Sequence, residues 1–198
     1  QSIDRGYAVA TFYNGDVEPD RPDATEGVRA KYPPEDGKVY DWGAIGAWAW
    51  GLSRAVDYLV TDRGIDTKRI AALGHSRNGK TALLGAAYDE RISVAFPHQA
   101  GCGGSAPSRG KVGESVKAIN NQFPHWFNGE FKKFNDAPEK LPFDQNALVA
   151  LCAPRAVLFS AAEGDQWANP NGQFQVLKAA DPVYRFLNET PDRSPMTD

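Results

Sequence analysis

Histidine is scarce in this chain: three stand among 198 residues, His75, His98 and His125, and none follows position 125. A general base late in the chain therefore has no imidazole to draw on within these residues. Cysteine is scarcer still. Cys102 and Cys152 are too few for a disulfide framework and lack metal-ligand spacing, which leaves one bridge or two buried free thiols. No apolar run approaches the roughly 20 residues that a membrane span needs. Neither charge dominates, because 22 Lys and Arg stand against 25 Asp and Glu for a net charge of −3. The basic residues are scattered, so the footprint of a nucleic-acid partner is missing. Internal repeats and low-complexity tracts are lacking too. No secretion signal is recognisable, and "QSIDRGYAVATFY" enters an apolar stretch without an initiator Met. The chain reads as a fragment of a longer protein.

What is present suits one globular α/β domain over residues 1–198: 41% of residues are hydrophobic and 24% charged. "GYAVATFY" at 6–13 is β-branched and aromatic and predicts a buried strand. From "NGDVEPDRPD" to "KYPPEDGK" the density of Pro, Gly and Asp predicts a long surface excursion. "DWGAIGAWAWGLSRAVDYLVTDRG" carries apolar residues at helical spacing, with Asp41 placed to cap its start and Gly64 beyond its end. Trp48, Trp50 and the other aromatics of that helix are expected in the core. "RIAALG" predicts a strand, "NGKTALLGAAYD" a helix and "RISVAFPHQAG" a strand. A polar, aromatic-dotted stretch from 102 to 142 follows. "NALVALCAP" then predicts a helix, "RAVLFSAAEGD" a strand and "QFQVLKAADPVYRFL" a helix, before a polar, loose tail at 188–198. Strand and helix alternate, so a mostly parallel sheet with helices on both faces is expected.

"LGHSRNGKT" at 73–81 admits two readings. As G-x-x-x-x-G-K-T it is a phosphate-cradling loop, but that pattern fixes only about four positions and matches by chance. Such a loop also needs an acid ending a second strand to hold magnesium; "RISVAFPHQ" has none, while "AVLFSAAEGD" does reach acids, so this alone does not exclude the reading. Read from its centre, the stretch puts Ser76 on a strand-to-helix turn, with the small Gly74 two residues earlier. An amphipathic helix followed by "GIDTKRIAALGHSRNGK" matches the approach to the nucleophile in α/β-hydrolases, so that fold is expected. Asn78 stands where the general pattern has glycine; Asn tolerates left-handed backbone better than most residues.

Gly-x-Ser-Arg-x-Gly-Lys resembles the nucleophile motif of the glucuronoyl esterases, carbohydrate esterase family 15, of bacterial type. "AWAWGLSRAVDYL", "PHQAGCGGSAPSR", "NNQFPHWFNGEF" and "EGDQWANPNGQF" resemble further segments of that family, over most of residues 40–185. The resemblance implies a secreted or periplasmic serine esterase. Its substrate would be the ester between a (4-O-methyl-)glucuronic acid of xylan and a lignin-type alcohol. A carbohydrate acetyl esterase and a catalytically silent carbohydrate-binding relative are the alternatives, with a nucleotide-binding protein third. The resemblance implies no metal, no organic cofactor, no nucleic acid, no membrane and a monomeric parent.

On this resemblance Ser76 is the nucleophile, and Arg77 adds its guanidinium and backbone N–H to the oxyanion site. Lys80, one helical turn on, would touch sugar hydroxyls; otherwise it is a solvated helix lysine. Gln122 and Glu130 match hydroxyl-binding positions, and Trp167 would stack on a pyranose face. Arg109 and Glu114 read as solvated loop charges. Two positions depart from the family. Its catalytic Glu is replaced by Gln99, so the acid is expected at Asp165, with Glu163 in reserve; restoring Glu at 99 should be tolerated. The three histidines read as packing or binding residues, with the ring of His75 turned away from Ser76. The catalytic His is then expected beyond Asp198, and these residues alone should be nearly inactive.

Overall fold

A computed structural model describes residues 2–33 and 41–187. The tail expected to be loose lies outside the described residues. The sheet is parallel and ordered β1 (Ile70–His75), β2 (Ile92–His98), β3 (Ala156–Val157). Its longer helices are α3 (Ala44–Leu59), α4 (Arg77–Tyr88) and α8 (Pro170–Leu187). Short helices α1 (Asn14–Val17), α2 (Val28–Lys31), α5 (Val116–Gln122), α6 (Gly129–Lys132) and α7 (Gln145–Ala150) shape the loops between them. This is the expected α/β-hydrolase arrangement, with helices on both sides of a parallel sheet.

Sequence pattern explains the packing. Along β1, Ile70, Ala72 and Gly74 are buried while Ala71, Leu73 and His75 face out, the two-residue period of a strand covered on one side. Leu83 and Ala86 of α4 press on Ile70, Ala72, Ile92 and Ala95, joined by Val56 of α3 and by Val176 and Ala180 of α8. Each such Leu, Val or Ile contributes roughly 1.5–3 kcal/mol by leaving water. Trp48 and Ile45 of α3 start a second cluster with Val116, Ile119 and Trp126, which anchors the stretch after β2. Both thiols are free and buried, and burial pushes Cys102 up to about 12 and Cys152 up to about 11.

Several expectations change. Residues 7–13 form no strand; Tyr7, Val9 and Tyr13 are each more than 60% exposed. A strand needs a neighbour to accept its backbone hydrogen bonds, and this run lies beside β1 without pairing to it. The excursion at 14–33 is not wholly a surface feature (34–38 lie outside the described residues). Glu18 is fully buried: its carboxylate accepts from the Arg29 N–H at 3.0 Å, and its carbonyl accepts from Trp48 Nε1 at 2.7 Å. Gly43, not Asp41, caps α3, whose first N–H groups donate to the carbonyls of His125 and Trp126. Trp48 is in the core, but Trp50 and Tyr58 are exposed. The strand expected at 155–165 is short in regular pairing, continuing as a bond from Leu158 N–H to the Ala95 carbonyl and a bridge between His98 and Ser160.

Between α4 and β2 the chain is clipped by Asp89. Its carboxylate accepts from Arg91 Nε at 2.8 Å, Arg91 Nη2 at 2.6 Å, the Arg91 N–H at 3.1 Å and Ser53 Oγ at 2.9 Å. The Arg91 hydrogen bonds outweigh burial and hold the Asp89 carboxyl down at about 2. Because that value lies below the ordinary one, the clip stabilises the fold fully above about pH 4 and is lost as pH falls toward about 2. Asp89→Ala should cost about 1–3 kcal/mol at neutral pH. In thermal unfolding, the gap to the parent should close through that acid window.

Candidate active site

The carboxyl ends of the three parallel strands converge on one cavity of about 190 Å³, the edge where open α/β sheets bind ligands. β1 delivers Ser76 to it, β2 delivers Gln99, and the segment after β3 delivers Asp165.

Ser76 sits at φ 54°, ψ −120°, a backbone state that side-chain-bearing residues rarely adopt. The turn is held by Ser76 N–H donating to the His98 carbonyl at 2.9 Å and Lys80 N–H donating to the Ser76 carbonyl at 3.1 Å. Gly74 makes room for it, since a Cβ there would strike the Asn78 carbonyl. Asn78 lies inside α4, so the left-handed residue is Ser76 itself. Although Ser76 occupies the cap position of α4, its hydroxyl makes no capping bond, which leaves Oγ to the cavity. The phosphate-loop reading fails here. From Arg77 onward the stretch is closed helix, and the Lys80 ammonium is turned onto carbonyl oxygens.

Arg77 is held from three sides. It donates to the Asp20 carboxylate, and its guanidinium lies over the rings of Trp126 at 4.8 Å and Phe123 at 5.2 Å. Asp20 also binds His125 Nε2 at 2.7 Å and accepts from Trp126 Nε1 at 2.8 Å. Burial works against the Asp20 charge, but the hydrogen bonds from Trp126, His125 and Arg77 prevail and set its carboxyl below the usual range. Lys80 is 4% exposed, not solvated; its ammonium donates to the carbonyls of Ala100 and Cys102, the latter at 2.7 Å. Glu114 stands 3.9 Å from it and is nearly as buried. Burial pushes Lys80 down and Glu114 up; each opposes the other's shift, and a hydrogen bond from Trp167 further favours the Glu114 carboxylate.

Asp165 caps the short 3-10 turn Gln166–Ala168, with Oδ1 accepting from the Ala168 N–H at 3.1 Å. Its Oδ2 accepts from Gln99 Nε2 at 2.5 Å. Trp167, 55% exposed, presents its indole at the rim, and Gln122 ends α5 beside it. The cavity thus gathers Ser76, Arg77, Lys80, Gln122, Asp165 and Trp167. It does not gather Glu163 or Glu130. The former lies on the loop before Asp165, its carbonyl accepting from Gln166, and the latter pairs with Lys133 at 2.6 Å. Of the histidines, His75 lines the cavity wall and its ring packs at a tilt against His98, centroids 5.0 Å apart, while His125 is tied to Asp20. Arg109 donates to the Leu141 carbonyl.

Two residues of the site escape sequence reasoning. Asp20 sits in a Pro- and Asp-rich stretch with no periodicity, some 57 positions from Arg77. Glu114 sits in "GKVGES", which reads as a plain polar loop. Glu114, and not Glu130, lines the cavity.

A serine at a strained strand-to-helix turn, with a carboxylate on the loop that follows a later strand of the same parallel sheet, is the arrangement of the α/β-hydrolase fold. The family model described as "Glucuronyl esterase, fungi" matches residues 1–188. A carbohydrate esterase of an unknown prokaryotic organism is 48% identical over 190 residues, covering 94% of this chain and 44% of that protein. The 4-O-methyl-glucuronoyl methylesterase of Hypocrea jecorina is 33% identical over 192 residues, covering 92% of this chain and 41% of that one. Among solved structures, a promiscuous esterase of carbohydrate esterase family 15 from the marine bacterial metagenome superposes with a TM-score of 0.83. It is 45% identical and covers 94% of this chain and 48% of its own. This chain belongs to the glucuronoyl esterase family, carbohydrate esterase family 15. It spans less than half the length of these three relatives.

The turn makes a direct prediction. Gly74→Ala forces a Cβ into the Asn78 carbonyl and should destabilise the fold by about 1–3 kcal/mol. Denaturant unfolding should show this, and loss of Ser76-dependent chemistry should exceed what the lost stability explains.

Proposed function

We propose that the protein carrying this chain is a serine esterase that hydrolyses the ester between (4-O-methyl-)glucuronic acid of xylan and a lignin-type alcohol, within one α/β-hydrolase domain. The observation that carries the reading is Ser76, a strained elbow serine with an uncommitted hydroxyl, in the same cavity as Arg77, Lys80, Glu114, Asp165 and Trp167. Its H. jecorina relative is named a 4-O-methyl-glucuronoyl methylesterase, which supports a glucuronoyl ester as substrate.

In this reading Ser76 Oγ attacks the ester carbonyl. The oxyanion that develops is met by the amino end of α4 and by Arg77, whose guanidinium is already fixed by Asp20 and two aromatic rings. Donors fixed in advance need little reorganisation as charge appears, which is the main source of such stabilisation. The substrate ester is neutral and its product a carboxylate, so Arg77 and Lys80 meet charge that grows along the reaction. Glu114 accepts from sugar hydroxyls, and Trp167 offers an apolar face to the pyranose. A histidine base takes the Ser76 proton and returns it to the departing alcohol, and water then releases the glucuronate from Ser76; Asp165 orients that histidine and stabilises the imidazolium that forms. We infer that this histidine comes from sequence outside these residues, since His125 is tied to Asp20 and the rings of His75 and His98 pack against each other at a tilt. A cell-wall polymer as substrate argues for a secreted or periplasmic protein.

The test is turnover of a benzyl glucuronate ester by the natural protein. Ser76→Ala should lower kcat by on the order of 10⁴–10⁶, and Asp165→Asn by on the order of 10⁴, each with an unchanged unfolding midpoint. Residual activity near the parent's in Ser76→Ala would end the esterase reading. The 198 residues alone should turn over poorly.

A further inference from the structure

We infer that Gln99 is a positioning residue for Asp165, and that the site needs a neutral donor at this position and not a second acid. The inference deepens the esterase reading and rests on Asp165 being its acid.

Gln99 follows β2 directly and holds φ 46°, a left-handed conformation that costs a side-chain-bearing residue roughly 1–3 kcal/mol. Its N–H donates to the Ser160 carbonyl at 2.8 Å, so its backbone is fixed to the segment after β3 that leads to Asp165. From there its Nε2 donates to Asp165 Oδ2 at 2.5 Å, while Oδ1 accepts from the Ala168 N–H at 3.1 Å. Each oxygen of the carboxylate therefore has one donor, and neither donor carries charge. That combination fixes the carboxylate's orientation. It also leaves its full charge to act on an imidazolium, which a Lys or Arg partner would quench. The titratable groups around the same cavity are His75, Arg77, Lys80 and Glu114, with the ring of His98 tilted against that of His75. Arg77 is engaged by Asp20, and Lys80 by carbonyls and Glu114.

Glutamate in place of Gln99 would set two carboxylates within hydrogen-bond reach of each other. Such a pair shares one proton, and its macroscopic titration belongs to both groups. Once both ionise, the doubled negative charge holds a neighbouring imidazolium in its protonated form to higher pH. The geometry thus points against the expectation that glutamate would be tolerated here.

The experiment compares Gln99→Glu, Gln99→Met and Asp165→Asn in the natural protein. The assay is benzyl glucuronate turnover from about pH 5 to about pH 9, with thermal unfolding of each variant. Gln99→Met removes the donor with little change in length and should lower kcat about ten-fold with little change in KM. Gln99→Glu should move the acidic limb of the kcat/KM profile upward by about one pH unit and add an ionisation the parent lacks. Should Gln99→Glu fail to fold, Gln99→Met decides alone. Parent-like kcat in Gln99→Met together with a parent-like acidic limb in Gln99→Glu would overturn the proposal. If Asp165→Asn is inactive in that case, the acid reading stands and only the role of Gln99 falls; if Asp165→Asn is fully active, both fall.

Discussion

At Ser76 the chain leaves β1 and enters α4 within one residue, and the arrangement of the site follows from that turn. Three constraints make it possible. Ser76 N–H is taken by the His98 carbonyl across the β1–β2 pairing, so the strained residue is clamped by the neighbouring strand. Gly74 lets the first turn of the helix come down over the end of its own strand. Gly79 brings that helix close to the end of β2, where a Cβ would lie only 3.0 Å from the His98 carbonyl. The result aims the amino end of α4, with its unsatisfied N–H groups and positive dipole end, at the cavity. Negative charge forming near Ser76 meets that field before any side chain moves.

The side chains around the turn are anchored in pairs. Arg77 is oriented by Asp20, Asp20 by His125 and Trp126, and Trp126 by its stacking on Phe123 at 3.7 Å. Lys80 is buried on two carbonyls with Glu114 beside it, and Asp165 is held by Gln99 and by the N–H of Ala168. None of these charges depends on bulk water for its orientation. In a small, partly enclosed cavity that matters, because fixed dipoles and charges act there at lower effective dielectric than at a surface. Trp167 stays half exposed at the rim, where an incoming ligand rather than the fold completes its surroundings.

The parallel order of β1, α4 and β2 was legible from the sequence because each run has one strong period bounded by a clear turn. The elbow was legible for a different reason: Gly74, Ser76 and Lys80 have fixed spacing along one chain segment. What was not legible depends on contacts between distant segments. Asp20 belongs to the site only because Glu18 is buried under Trp48, which pins that stretch against α3. Glu114 looks like a loop charge until Lys80 is seen buried against it. The run at 6–13 has the composition of a strand, yet strand formation needs a paired neighbour, which composition does not reveal. Asp41 has the chemistry of a cap, but the carbonyls of His125 and Trp126 took that role for α3.

The central claim is that Ser76 is an activated nucleophile and not a structural cap. Labelling the natural protein with a fluorophosphonate, a probe that phosphonylates activated serine hydroxyls, tests this most directly when followed by peptide mass spectrometry. Stoichiometric modification of Ser76, prevented by prior binding of a glucuronate, is the expected result. A protein that is folded yet unlabelled at Ser76, or labelled on another serine instead, would contradict it.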